Sequence, residues 1–131
     1  MLVLATGLAA LVVALIAARA LSPSHPAART VVASVRGSGH AELKISGGRA
    51  ELVVRGMPRP AGTDIYEVWL VRRSGGAPQP TTALFSVTSA GDGIVAVPGS
   101  VHAIRDVLVT EEPAGGTKVP TNPPVIAARI T

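Results

Sequence analysis

After residue 21, glycine or proline interrupts every stretch that could carry a long helical period, so the body of this chain must be built from short strands and turns. Thr30 to Val35 is the first strand-like stretch. Ala41, Leu43 and Ile45 then alternate with His40, Glu42 and Lys44, the period of a strand with one wet face. Gly47-Gly48 turns the chain into Ala50, Leu52 and Val54, which alternate with Glu51, Val53 and Arg55, and the pair reads as a hairpin. Met57 to Gly62 is a connection. Ile65 to Val71 is apolar on both faces except at Glu67, as expected of a strand inside a sheet. Ser74-Gly75-Gly76, Pro78 and Pro80 separate it from Ala83 to Val87. Gly91-Asp92-Gly93 leads into Ile94 to Val97, Val107 to Thr110 follows, and Val125 to Ile130 closes the chain. Seven or eight short strands at this spacing predict an all-β fold. A body of about 110 residues suits a small antiparallel β-sandwich.

Only three aromatic residues, Tyr66, Trp69 and Phe85, are present, so the core must come from Val, Leu, Ile and Ala, side chains that suit pleated strands. The chain has no cysteine, which removes disulfides, thiol catalysis and thiolate metal sites together. Its net charge of +4 rests almost wholly on arginine, with Lys44 and Lys118 the only lysines. Apart from Arg72-Arg73 the basic residues stand singly along the strands and no aromatics interleave them. They read as solvated positions, and no nucleic-acid partner is expected.

Met1 to Ala18 carries no charge; at about 1.5 Å per residue it covers roughly 27 Å of a ~30 Å hydrocarbon core. With Ala20 and Leu21, and Arg19 reaching the interface, residues 1–21 predict a transmembrane helix. A cleaved signal peptide is the rival reading, because Ala18-Arg19-Ala20 has the small-x-small pattern. The missing basic n-region and the length of the apolar run favour a retained anchor. Residues 22–28, with Ser22-Pro23-Ser24-His25-Pro26, form a tether that cannot continue a helix. Residues 29–131 form the sandwich domain.

Searching for chemistry finds no catalytic set. His25, His40 and His102 are far apart and lack ligand spacing, so neither a metal nor another cofactor is expected. Gly37-Ser38-Gly39-His40 does not meet the nucleophile-elbow pattern and leads into a strand. Glu111 and Glu112 are neighbours on a strand and therefore point to opposite faces, unsuited to sharing one substrate. Gly115-Gly116-Thr117-Lys118 has its lysine after the threonine, and Pro120, Pro123 and Pro124 forbid the helix that a phosphate loop needs. The chain is not expected to be an enzyme.

Two stretches are more specific. Ile65-Tyr66-Glu67-Val68-Trp69-Leu70-Val71 is followed by a Gly/Pro loop and Ala83-Leu84-Phe85. Later come Val109-Thr110-Glu111-Glu112-Pro113-Ala114-Gly115-Gly116-Thr117, then Pro120-Thr121 and Pro124-Val125. In this order and spacing they resemble the C-terminal domain of the anti-sigma-K factor family, over roughly residues 40 to 131. The resemblance implies a bacterial single-pass membrane protein whose β-rich C-terminal domain lies outside the cytoplasm. A cytoplasmic domain holds a sigma factor inactive, and a membrane-associated protease releases it. Here the residues open on the apolar run. The sigma-binding domain is therefore expected to be absent, and the sigma factor a partner only through such a domain. Arg19, Arg29 and Arg36 follow the helix, so a strict positive-inside count would place the body in the cytoplasm, against the family's orientation.

Trp69 is expected as core filler between the sheets, facing opposite to Tyr66. Glu112, Pro113, Gly115 and Gly116 fit a rigid turn at the sandwich end, where glycines supply positive φ and Glu112 accepts backbone N–H groups. That turn is the candidate binding site, since function collects on loops held by a rigid scaffold. The other functional expectation is an exported β-sandwich that binds a ligand or partner at the cell surface, unrelated to transcription.

Overall fold

The computed structural model describes residues 26–131. The expected helix over 1–21 and the tether up to residue 25 lie outside the described residues. Nine strands fill the described range: β1 (Arg29–Val32), β2 (Ser34–Val35), β3 (His40–Ser46), β4 (Arg49–Arg55), β5 (Ile65–Arg72), β6 (Gln79–Phe85), β7 (Gly93–Val97), β8 (Ile104–Glu112) and β9 (Ile126–Arg129). They form two sheets, ordered β1-β3-β4-β7 and β2-β9-β8-β5-β6, and every pairing is antiparallel. Alternate residues of both sheets meet in the middle. Leu43, Leu52 and Val54 from the first sheet pack with Tyr66, Val68, Val107, Val109 and Ile126 from the second, all fully buried or nearly so.

The count exceeds the expected seven or eight because the first stretch, Thr30 to Val35, is divided. β1 pairs with β3 in one sheet, and β2 pairs with β9 in the other. The change occurs at Ala33, which is buried and donates its N–H to the Ala41 carbonyl at 2.9 Å. Three residues later the Arg36 N–H donates to the Val125 carbonyl at 2.8 Å. One run of chain thus crosses from sheet to sheet and closes that side of the sandwich. A small residue among β-branched neighbours is the only mark of this corner in the sequence.

β6 begins earlier than Ala83, at Gln79, and contains Pro80. Pro80 is tolerated because β6 is an edge strand, with one side unpaired. Its register slips: Glu67 faces Leu84 and Trp69 faces Pro80, so Thr81, Thr82 and Ala83 together face Val68. The Thr81 hydroxyl takes over the missing ladder bonds, donating to the Val68 carbonyl at 2.7 Å and accepting from the Ala83 N–H at 3.1 Å. At the other hairpin Gly47 and Gly48 both have positive φ, 57° and 76°, as a two-residue turn of the primed kind requires.

The register gives the sandwich two unlike ends. The start of β1, the β3–β4 turn, the end of β5, the start of β8 and the end of β9 share the proximal end, where Pro26 enters against Gly47. The end of β8 and the start of β5 share the distal end with the segment 113–124 that joins β8 to β9.

Candidate functional site

β5 and β8 pair along their length, so the face turned away from the first sheet carries Glu67 opposite Thr110, Trp69 opposite Leu108, and Glu112 opposite Ile65. An outer sheet face is ordinarily wet. Here Trp69, Thr110 and Glu112 are each 0% exposed and Glu67 is 2% exposed. The segment 113–124 folds back across this face and is bonded to it at several points.

The return begins with a turn in which the Gly116 N–H donates to the Pro113 carbonyl at 2.9 Å. Gly116 has φ 76°, and a Cβ there would lie 2.9 Å from Leu84 Cδ2 and 3.0 Å from Glu67 Oε2. Glycine is required both by the backbone and by the closeness of the sheet. The next residue, Thr117, donates its N–H to Glu67 Oε2 at 2.8 Å. Further on, the Thr121 N–H donates to both oxygens of Glu112, at 2.9 and 3.2 Å, and the Thr121 hydroxyl also donates to Oε2. Asn122 Nδ2 donates to the Glu111 carbonyl at 2.6 Å. Beneath the segment, Trp69 Nε1–H donates to Thr110 Oγ1 at 2.8 Å, and that hydroxyl donates in turn to Glu112 Oε1 at 2.6 Å. Among the described residues no buried side-chain nitrogen or oxygen lacks a partner.

Neither Glu67 nor Glu112 forms an ion pair among the described residues. Burial alone would raise the Glu112 pKa, but hydrogen bonds from Thr110, Thr121 and Thr117 outweigh it and hold the carboxyl below its ordinary value. Glu112 is therefore ionised at neutral pH, held by neutral donors. The arrangement works as a brace: two strand carboxylates fix an irregular loop over an otherwise open sheet face.

The four turn residues are found together. Pro113 and Gly115 are exposed, Gly116 is half-buried, and Glu112 points inward with both oxygens engaged by the protein itself. Glu112 accepts a backbone N–H, as its position suggested. Glu111 takes the opposite face and accepts the Ala61 N–H at 2.5 Å. Near it the Tyr66 hydroxyl donates to the Pro58 carbonyl at 2.6 Å; burial, with the Glu111 charge, pushes the phenol up. Trp69 departs from expectation. It is buried and faces opposite to Tyr66, as expected, but that face lies outside the intersheet core, on the braced side of the sheet. Period-2 alternation assigns one face to the core, and only the returning loop buries the other. Glu67, Thr110, Thr117 and Thr121 were not singled out from sequence. Their signal was a set of glutamates and threonines around a glycine turn, legible only once the loop's return path is known. His40 bonds Glu42 at 3.1 Å, and His102 packs on Gly48 at the proximal end. Among the described residues no three histidine, aspartate or glutamate side chains gather as a ligand set.

The family profile described as anti-sigma-K factor rskA, C-terminal, matches residues 3–125. An uncharacterized protein in the phr 5′ region of Streptomyces griseus is 31% identical over 108 residues, covering 78% of this chain and 42% of that protein. The chain thus spans less than half the length of that relative. No solved structure matches it. The profile match takes in every residue of the brace, from Glu67 to Asn122, together with most of the apolar N-terminal run. On that match the chain belongs to the family of the anti-sigma-K factor rskA C-terminal domain.

Proposed function

We propose that the chain is the extracytoplasmic, membrane-anchored domain of an anti-sigma-K-type regulator, a non-enzymatic module tied to the bilayer by residues 1–21. The sigma factor is reached through a cytoplasmic domain, and a membrane-associated protease acts near the tether. One observation carries this reading: the family match begins at residue 3, so the apolar run and the sandwich are matched as a single unit. The run is uncharged and long enough to span with its flank. The buried polar groups of the braced face bond to one another, which suits a stable module better than a reaction centre.

The absence of cysteine permits a direct test. Ser89→Cys, at an exposed distal position, is expected to react with a membrane-impermeant maleimide in intact bacterial cells, and the protein to stay in membranes washed with alkaline carbonate. Reaction only after lysis, or release by the wash, would contradict the proposal. Residues 1–131 expressed alone are expected not to co-purify with the cognate sigma factor. Sequestration needs about 800 Å² of surface per partner on the cytoplasmic side, and the proposed orientation puts the sandwich on the other. Co-purification would make the β domain itself the inhibitor.

A further inference from the structure

We infer that the proximal end of the sandwich is a docking surface for anionic lipid headgroups; the inference rests on the membrane anchoring proposed above. Arg29, Arg49, Arg72, Arg73, Arg105 and Arg129 make up half of the chain's 12 lysines and arginines, and all six are exposed. Their places are strand ends that the register brings to this end. Arg29 opens β1 opposite Ile45, Arg49 opens β4, Arg72 ends β5 opposite Ile104, and Arg129 ends β9 opposite Asp106. The carboxylates nearest this end are Glu51 and Asp106. Asp106 is held between Arg105 and Arg129 at 2.8 and 2.9 Å. By contrast Asp64, Glu67, Asp92, Glu111 and Glu112 lie towards the distal end. In sequence the arginines stand almost singly; the antiparallel register gathers them.

The surface is also shaped. A cavity of about 260 Å³ opens there, lined by Arg29, Arg73, His102 and the Gly47-Gly48 turn above an apolar floor that includes Val101 and Ile130. Guanidinium groups around a concave site suit phosphate oxygens, which they bind through paired N–H groups. What places lipid before this face is the chain path. Pro26 packs at Gly47, and fully extended the links from Leu21 to Pro26 span at most about 18 Å. An anchor ending at Leu21 therefore keeps Pro26 within about 18 Å of the end of the span. A tether shorter than its full extension brings the proximal end towards the ~8 Å screening length of the headgroups at physiological salt. A nucleic-acid partner lacks support of that kind, since no aromatic side chain stands among these arginines.

The test uses the full chain in vesicles of phosphatidylcholine, with and without phosphatidylglycerol. Ser74→Cys, at the proximal end, carries a fluorophore, and Ser89→Cys supplies the distal control. Quenching by a headgroup-attached nitroxide is expected to rise several-fold at position 74 when phosphatidylglycerol is present. It should fall back in high salt and stay unchanged at position 89. Replacing two arginines that have no side-chain partner among the described residues, Arg49→Gln with Arg73→Gln, should remove the rise while leaving incorporation intact. Equal quenching in both lipids, or a rise that survives the double replacement, would overturn the inference alone. A chain that enters neither vesicle would overturn the anchor and this surface together.

Discussion

Thr110 stands where two buried polar groups meet, accepting from the Trp69 indole and donating to the Glu112 carboxylate. Thr110→Val keeps the shape and removes both bonds, stranding the buried indole N–H and leaving Glu112 Oε1 with the Thr121 N–H alone. The expected loss is about 3 kcal/mol, read from the midpoint of denaturant unfolding. An unchanged midpoint would mean that the hydroxyl contributes nothing net. Glu112 makes a pH prediction with a definite sign. Its folded pKa lies below the unfolded value of about 4.3, so its contribution is present above that value and lost as pH falls through the folded one. Asp106 is lowered too: burial would raise it, but bonds from Arg129 and Arg105 more than offset that, so its contribution is likewise lost on acidification below its unfolded value of about 3.9. Glu112→Gln should therefore flatten part of the acid limb. Its difference from the parent should be largest near neutral pH and shrink as pH falls below the unfolded value of about 4.3 and the parent's carboxylate protonates. Parallel curves would contradict the assignment.

Among the elements, the loop 113–124 depends on Gly116 most directly. Gly116→Ala meets a backbone penalty of about 1–2 kcal/mol from its left-handed conformation, besides pressing on Leu84 and Glu67. Unfolding studies should show at least that loss, and Thr117→Ala should show less, since its N–H bond to Glu67 survives. The strands themselves were largely legible. β3 and β4 announce themselves through alternation and the Gly47-Gly48 turn, because one-sided burial writes a period of two into the sequence, and β5 through a run that is apolar on both faces. The sheet change at Ala33 and the extension of β6 through Pro80 were not legible. Both depend on which neighbour a strand has, and neither changes the local pattern of polar and apolar residues. That both faces of β5 are buried was legible from its apolar run, but what covers the second face was not, since the covering loop has no periodicity.

On the scale of the whole molecule, the fold joins a braced distal end that holds most of the carboxylates to an arginine-rich proximal end through one intersheet core. The residues that carry the resemblance to the family fall mainly on the brace, where they hold the loop to the sheet, while the turn at Pro113 and Gly115 is exposed. This loop is an integral part of the fold. Thr117 and Thr121 lie in irregular backbone, where amides ordinarily exchange with water quickly. Because their N–H groups are bonded to buried carboxylates, both are expected to exchange only as slowly as the strand amides of β5 and β8. Native-state hydrogen exchange followed by NMR measures this residue by residue. Protection of both amides at the global unfolding free energy is the predicted result, and exchange near unstructured-peptide rates at either one would contradict it.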